Sequence, residues 1–282
     1  MRLSKLLIFL LVAVVLVFAQ DDKEKKPEYG WKKETVGVLN YSQTKLDNWT
    51  RGGENSWLIQ ADLNAKFEKN MAKYNWSNIM SLSYGTTQIG SEKSKKAADK
   101  INLETAFTYK MTEHLNPYAS ATMRTQFATG YDYTADERVA ISAFMDPGFF
   151  TESIGLSYTK KDLLVTRLGA ASKQTVTDKY NTYADDPATT EIEKTKIQFG
   201  AESNTELNWQ ITEIILFKSN LLLFSDFAGL NQVDVDWDNT ISAKVHEYIV
   251  VSFNFYLFYN HTFSKKRQLR QVLAVGLSYS FF

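Results

Sequence analysis

Between Glu54 and Asn70 the chain reads ENSWLIQADLNAKFEKN, in which Trp57, Ile59, Ala61, Leu63, Ala65 and Phe67 alternate with Leu58, Gln60, Asp62, Asn64, Lys66 and Glu68. A period of two places the first set on one face of a strand and the second on the other. The next stretch, KYNWSNIMSLSYGTT, repeats the pattern, with Tyr74, Trp76, Met80, Leu82 and Tyr84 set against Asn75, Ser77, Ser81 and Ser83. Only a short polar turn near Asn70 separates the two, which predicts an antiparallel hairpin.

The same alternation continues along the chain. Ile101, Leu103, Phe107 and Tyr109 share a face, as do Ala119, Ala121, Met123 and Phe127. Further strands are expected over FFTESIGLSYT and LLVTRLGAA, then around Ile197, Phe199, Ala201, Leu207 and Trp209. Three more carry Val233, Val235, Trp237 and Ile241, then Ile249, Val251, Phe253 and Phe255, then Leu273, Val275, Leu277, Tyr279 and Phe281. LFKSNLLLFSDF reads as a strand whose phase is open, because its three leucines fall on both faces. With a weaker first strand near ETVGVLNYSQT, about twelve strands are expected, and the mature sequence shows no helical period.

Alternation also occurs in soluble sandwiches, so strand length, aromatic placement and loop lengths must decide. Trp57 and Phe67 cap one apolar face; at about 3.3 Å per residue and a tilt of about 40° their separation projects to about 25 Å, the height of the apolar band on outer-membrane barrels. Trp76 and Tyr84 bracket the next strand in the same way, as a membrane–water interface favours. Short connections near Asn70, Lys160 and Glu247 alternate with long ones, IGSEKSKKAA, GYDYTADERVAISAFMDPG and DKYNTYADDPATTEIE. That rhythm belongs to barrels with short periplasmic turns and long outer loops, and it puts both termini on the periplasmic side. The fold class expected is all-β: a closed antiparallel up-and-down transmembrane β-barrel of about 12 strands.

The first residues change the cellular picture. MRLSKLLIFLLVAVVLVFAQ has early cations, an apolar run from Leu6 to Phe18 and a small residue at Ala19, the layout of a secretory signal cleaved after Ala19. The expected organisation is therefore a signal peptide over 1–19, a periplasmic extension over 20–31 and an outer-membrane barrel over 32–282. Cysteine is absent, which removes N-terminal lipidation, disulfides and thiolate metal sites. Lys plus Arg equals Asp plus Glu, so no global charge recommends nucleic acid as a partner. Aromatic residues make up 14% of the chain, which suits strands greasy on one face and wet on the other.

On the inward face the phases place Asp62, Glu68, Glu104, Glu202, Glu206 and the row Asp234, Asp236, Asp238. Lys66, Lys110, Arg124, Arg167, Lys196 and Lys244 share it. Signs in comparable number imply a hydrated, partly cross-linked lumen without strong ion selectivity. The aspartate row could hold a hard cation such as Ca²⁺ if loop oxygens completed the shell, or serve as a lumenal salt network. No catalytic constellation is expected: His114 falls in a periplasmic turn and His246 at a periplasmic strand end, and His261, at an outer strand end, has no orienting carboxylate beside it. No cofactor motif occurs.

The segment LDNWTRGGENSW lies in the first outer connection, where Gly52 and Gly53 allow close backbone approach. Trp49 and Arg51 could stack on one another or on a ligand, or the loop could fold back as a plug. Together with the leader, the strands and the aromatic end, this NW..GG.NS stretch resembles a family of Gram-negative outer-membrane proteins, domain of unknown function 3078. The resemblance implies a barrel and carries no established activity. Bacterial outer-membrane barrels resemble this chain also in finishing on an aromatic strand read by the insertion machinery, although here the apolar phase belongs to Phe281 and Phe282 falls on the other face.

The expected partners are thus outer-membrane lipid, the insertion machinery and a small solute. The ligand or lumen-lining candidates are Trp49, Arg51, Asp62, Lys66, Glu104, Arg124, Arg167 and Glu202. A channel passing or binding a solute, and a closed-lumen structural or interaction barrel of the envelope, both remain open at this stage.

Overall fold

A computed structural model describes residues 28–48, 53–133, 138–161, 163–186, 188–229, 232–260 and 266–281. The expected signal peptide, Trp49, Arg51, His261 and Phe282 lie outside the described residues. The strands in chain order are β1 (Gly30–Thr44), β2 (Ser56–Asn70), β3 (Tyr74–Ile89), β4 (Lys95–Tyr109), β5 (Leu115–Thr125), β6 (Gly130–Asp132) and β7 (Val139–Ser142). There follow β8 (Gly148–Lys160), β9 (Leu164–Val176), β10 (Thr195–Gln210), β11 (Ile215–Asp226), β12 (Val233–Lys244), β13 (Ile249–Tyr259) and β14 (Gln268–Ser280). β6 and β7 pair only with each other, as a small hairpin between β5 and β8. The remaining strands form one closed antiparallel barrel in which sequential neighbours pair and β14 returns to β1. Each strand read from the alternation is present.

Burial runs opposite to that of a water-soluble protein. Leu273 is 74% exposed, Ile154 66% and Trp76 40%, with Phe107, Leu168 and Phe199 also outward. Arg167, Glu104, Glu202 and Asn204 are buried inside. Apolar side chains outside and ionic groups inside are stable only where the outer surface meets hydrocarbon, so the barrel is of the transmembrane class. Aromatic side chains gather at both ends of the band. Near the short turns, Trp31 and Trp76 have ring centroids 6.1 Å apart and Lys69 Nζ lies 5.8 Å from the Trp31 ring. Near the long loops, Tyr84 meets Phe127 edge-on at 6.5 Å.

The strand with open phase is settled by its partners. Phe217 stands opposite Trp209 and Leu221 opposite Trp237, which sends both outward. Leu222 and Phe224 then face the lumen opposite Asp236 and Asp234.

Connections 71–73, 110–114, 211–214 and 245–248 and the turn after β8 lie at the end where β1 begins and β14 finishes. β1, β3, β5, β9, β11 and β13 run toward the other end, where 90–94 forms the turn between β3 and β4. One expectation needs correction: IGSEKSKKAA is not a long loop. β3 and β4 pair up to Thr87 and Lys95 with a shift in register at Gly85, so the hairpin extends past the apolar band and leaves only 90–94 as the turn.

Placing a charge in the middle of the outward face tests this orientation. Ile154→Arg is expected to cost about 2–4 kcal/mol of folding stability in a bilayer. Reversible denaturant unfolding in lipid vesicles reads the difference.

Candidate functional site

The lumen is built by the inward halves of the alternation, and its charged groups fall into two tiers. The lower tier lies in the parts of β4, β9 and β10 nearest the short turns. There Arg167 Nη2 donates to Glu104 Oε1 and to Glu206 Oε1, each at 2.5 Å. β4 and β9 are separated by β5 and β8 in the ring, so the bond to Glu104 braces across the lumen, while Glu206 lies on β10, the strand next to β9, and holds the guanidinium from its own wall. Only 5% of Arg167 is exposed. Its position depends on a patch of small residues. Gly155 and Gly169 are register partners on the inward wall, and a Cβ at Gly169 would come within 2.2 Å of Ile154 O and 2.8 Å of the Tyr118 hydroxyl. Their lack of side chains lets Tyr118 lie against the wall, where its hydroxyl shares a 2.7 Å hydrogen bond with Ser153 Oγ. The Arg167 guanidinium sits 6.0 Å from the Tyr118 ring centroid. Lys66 and Glu68 add a pair at 2.8 Å.

The upper tier lies toward the long loops. Each member of the aspartate row meets a different cation from another part of the wall. Asp234 pairs with Lys173 at 2.8 Å, Asp236 with Arg124 at 2.5 Å and Asp238 with Lys100 at 3.5 Å. β4 and β12 stand opposite one another in the ring, so the Lys100–Asp238 pair spans the lumen. Among the described residues, no group of three or more His, Cys, Asp or Glu is arranged to hold a metal ion. Asp62 is held by Asn40 Nδ2 at 3.2 Å, Gln60 Nε2 at 3.0 Å and Ser83 Oγ at 2.6 Å. Glu202 is buried beside the lower tier.

Sequence reading missed Lys100 and Lys173, although both share the inward parity of Glu104 and Arg167. It also missed the apolar part of this tier. Phe224 lies under Lys173, whose Nζ is 4.9 Å from the ring centroid, and Tyr256 stacks on Phe258 at 6.5 Å. Of the histidines, His114 contacts Thr159 O through Nδ1 at 3.1 Å in a short-turn connection, and His246 lies in connection 245–248.

Two carboxylates fasten the long loops to the rim. Asp99 accepts hydrogen bonds from the N–H groups of Phe127 and Ala128, at 2.6 and 3.0 Å. Asp146, itself buried, accepts from those of Asp178 and Lys179, at 2.9 and 2.7 Å. Within 177–194, hydrogen bonds from the Thr189 hydroxyl and the Asp186 N–H pull the Glu193 carboxyl down to about 2.

Several comparisons bear on this arrangement. The profile of a family described as a protein of unknown function (DUF3078) matches residues 41–131, which run from β1 into β6. No curated protein matches the chain significantly. Among solved structures, the translocator domain of the autotransporter NalP from Neisseria meningitidis is similar at 10% identity and a TM-score of 0.40, covering 98% of this chain and 95% of that one. An outer membrane channel from Pseudomonas putida F1 is similar at 8% identity and 0.41, over 93% and 98% of the two chains. The NanC porin gives 7% and 0.37, over 88% and 97%. At identities this low, closure of the sheet rests on its own strand pairings, and nothing about solute or activity follows.

Two outcomes are expected from these contacts. Arg167→Gln leaves two buried carboxylates facing each other without their cation and should cost about 3–5 kcal/mol. Adding Glu104→Gln and Glu206→Gln should recover part of the loss in the same unfolding assay. For the loop, the lowered folded pKa of Glu193 means its contribution is complete above the usual carboxylate range and disappears as pH falls through about 2. Hydrogen-exchange protection at Asp186 and Thr189, corrected for intrinsic rates, should therefore hold constant from about pH 7 down to about pH 5 and fall progressively below that.

Proposed function

We propose that this protein is an outer-membrane barrel that admits a small solute into the loop-side half of its lumen and restricts passage at the Arg167 brace. The observation that carries the reading is the arginine tied to Glu104 across the lumen and to Glu206 on the neighbouring strand while almost fully buried. A general diffusion pore needs a water-filled path at every level, whereas an ion-paired plug at one level makes a barrel selective or closed. Above the plug the lumen is wetter and mixed in character, since Arg124, Lys100 and Asp238 all keep partial contact with solvent. Aromatic rings and paired charges together suit a solute with both polar and apolar parts.

The apolar leader supports export through the inner membrane, and the exposed band supports residence in outer-membrane lipid. In that setting the short turns face the periplasm, and the insertion machinery reads the aromatic last strand. The candidates Asp62, Lys66, Glu104, Arg124, Arg167 and Glu202 serve as lining and bracing groups. Trp49 and Arg51, in the first outer connection, would meet the solute before it enters. The aspartate row acts as the acceptor set of the upper braces, so cation binding there would compete with Lys100, Arg124 and Lys173.

Conductance in planar bilayers tests the reading. The native barrel should show small or rare openings, and the triple variant Arg167→Gln, Glu104→Gln, Glu206→Gln should raise the single-channel current several-fold. Large stepwise currents from the native protein, unchanged in the variant, would rule the plug out.

A further inference from the structure

The wall has one incomplete seam. β1 and β14 pair only from Val36↔Ser280 to Asn40↔Gly276, whereas both strands continue toward the long loops. On its other side β1 stays paired with β2 as far as Thr44↔Ser56, and β14 stays paired with β13 as far as Gln268↔Phe258. In the loop-side half, the edges at 41–44 and 268–275 therefore face one another without a ladder. Residues of both parities are exposed over 41–44 and 268–271, as at an opening and unlike a sealed wall. Where the pairing stops, Asn40 Oδ1 is buried without a hydrogen-bond partner.

The lumen beside this opening is amphipathic. Arg270 and Tyr256 are register partners, and the guanidinium lies 5.3 Å from the Tyr256 ring centroid. Among the described residues its polar contact is a long one, Nη2 to Asn254 Oδ1 at 3.5 Å, and no carboxylate there pairs with it in the way that Arg124 and Arg167 are paired. Phe258, Val272 and Ala274 share its inward face, while Leu273 and Val275 of the same edge are exposed on the outward face. The result is a cation inside, an apolar passage through the wall, and hydrocarbon beyond.

We infer that the β1–β14 seam is a lateral site for a single-chain anionic amphiphile, with its carboxylate head on Arg270 in the lumen and its hydrocarbon tail lying between 41–44 and 272–275 toward the bilayer. Backbone N–H and C=O groups left without a ladder at membrane depth are tolerated where water or a polar ligand reaches them. A head group entering from the lumen brings both water and an acceptor to that edge. A guanidinium without a carboxylate partner is the group that would hold the head. The inference goes beyond the aqueous route proposed above and does not require that the barrel conduct ions.

A palmitic acid analogue carrying a photoreactive diazirine in its chain tests the site in proteoliposomes, with labelled peptides mapped by mass spectrometry. Label is expected to concentrate on 41–44 and 268–275. Arg270→Ala should reduce it about ten-fold, and Arg270→Lys should retain most of it. The methyl ester of the probe should label the seam weakly, and excess palmitate but not butyrate should compete. Because the chain has no cysteine, Ser42→Cys with Ala274→Cys can be bridged by a short bis-maleimide, which should block labelling while leaving conductance as it was. Label spread evenly over the outward band, equal labelling by the ester, displacement by butyrate, or indifference to Arg270→Ala would each overturn the site. Heat-modifiable gel migration confirms that every variant is folded.

Discussion

Hydrocarbon offers no hydrogen-bond partner to a peptide group, and that constraint organises the whole molecule. A sheet whose outward face carries Ile154, Leu168 and Leu273 must sit in lipid, and in lipid it must close so that its edges disappear. Closure in turn creates an interior, and strand alternation fills it with the polar half of each strand. The charged lumen is therefore a consequence of the greasy exterior. The same constraint makes the partial seam between β1 and β14 the most informative irregularity in the wall.

Inside, the problem reverses: charges removed from bulk water need partners. The chain meets this with ion pairs that cross the lumen, Arg167 to Glu104, Arg124 to Asp236 and Lys100 to Asp238. Breaking one member of such a pair is costly, because the remaining charge stays buried. In the proposed reading the braces tie the barrel's shape to its permeability, since the groups that hold distant strands together are also those placed in the path. Gly155, Gly169 and Tyr118 show how backbone supports this: a wall without side chains gives the ring a surface to lie on, and the ring supports the guanidinium.

The strands were legible because a period of two is imposed by the pleat and survives every local irregularity. Inward and outward faces were legible for the same reason, including Arg124, Arg167 and the aspartate row. β11 resisted, since Leu221, Leu222 and Leu223 satisfy either phase and only the partners Trp209 and Trp237 decide between them. Lys173 escaped because its strand was drawn too short at the loop end, and the turn at 90–94 was misjudged by the same error, whereas Lys100 lay within its expected strand and was passed over. Which cation meets which carboxylate was not legible at all, because it depends on curvature that brings β4 opposite β12. The seam left one trace, the polar run Ser42, Gln43, Thr44 at the end of the weakest strand.

The upper braces join residues far apart in the chain; Arg124 and Asp236 are separated by 112 positions. Hairpins such as β2 with β3 zip locally and can form early, but a strut between distant strands gains nothing until the ribbon has curled upon itself. These ties therefore act as a late checkpoint during assembly, rewarding a ribbon only once it has become a cylinder.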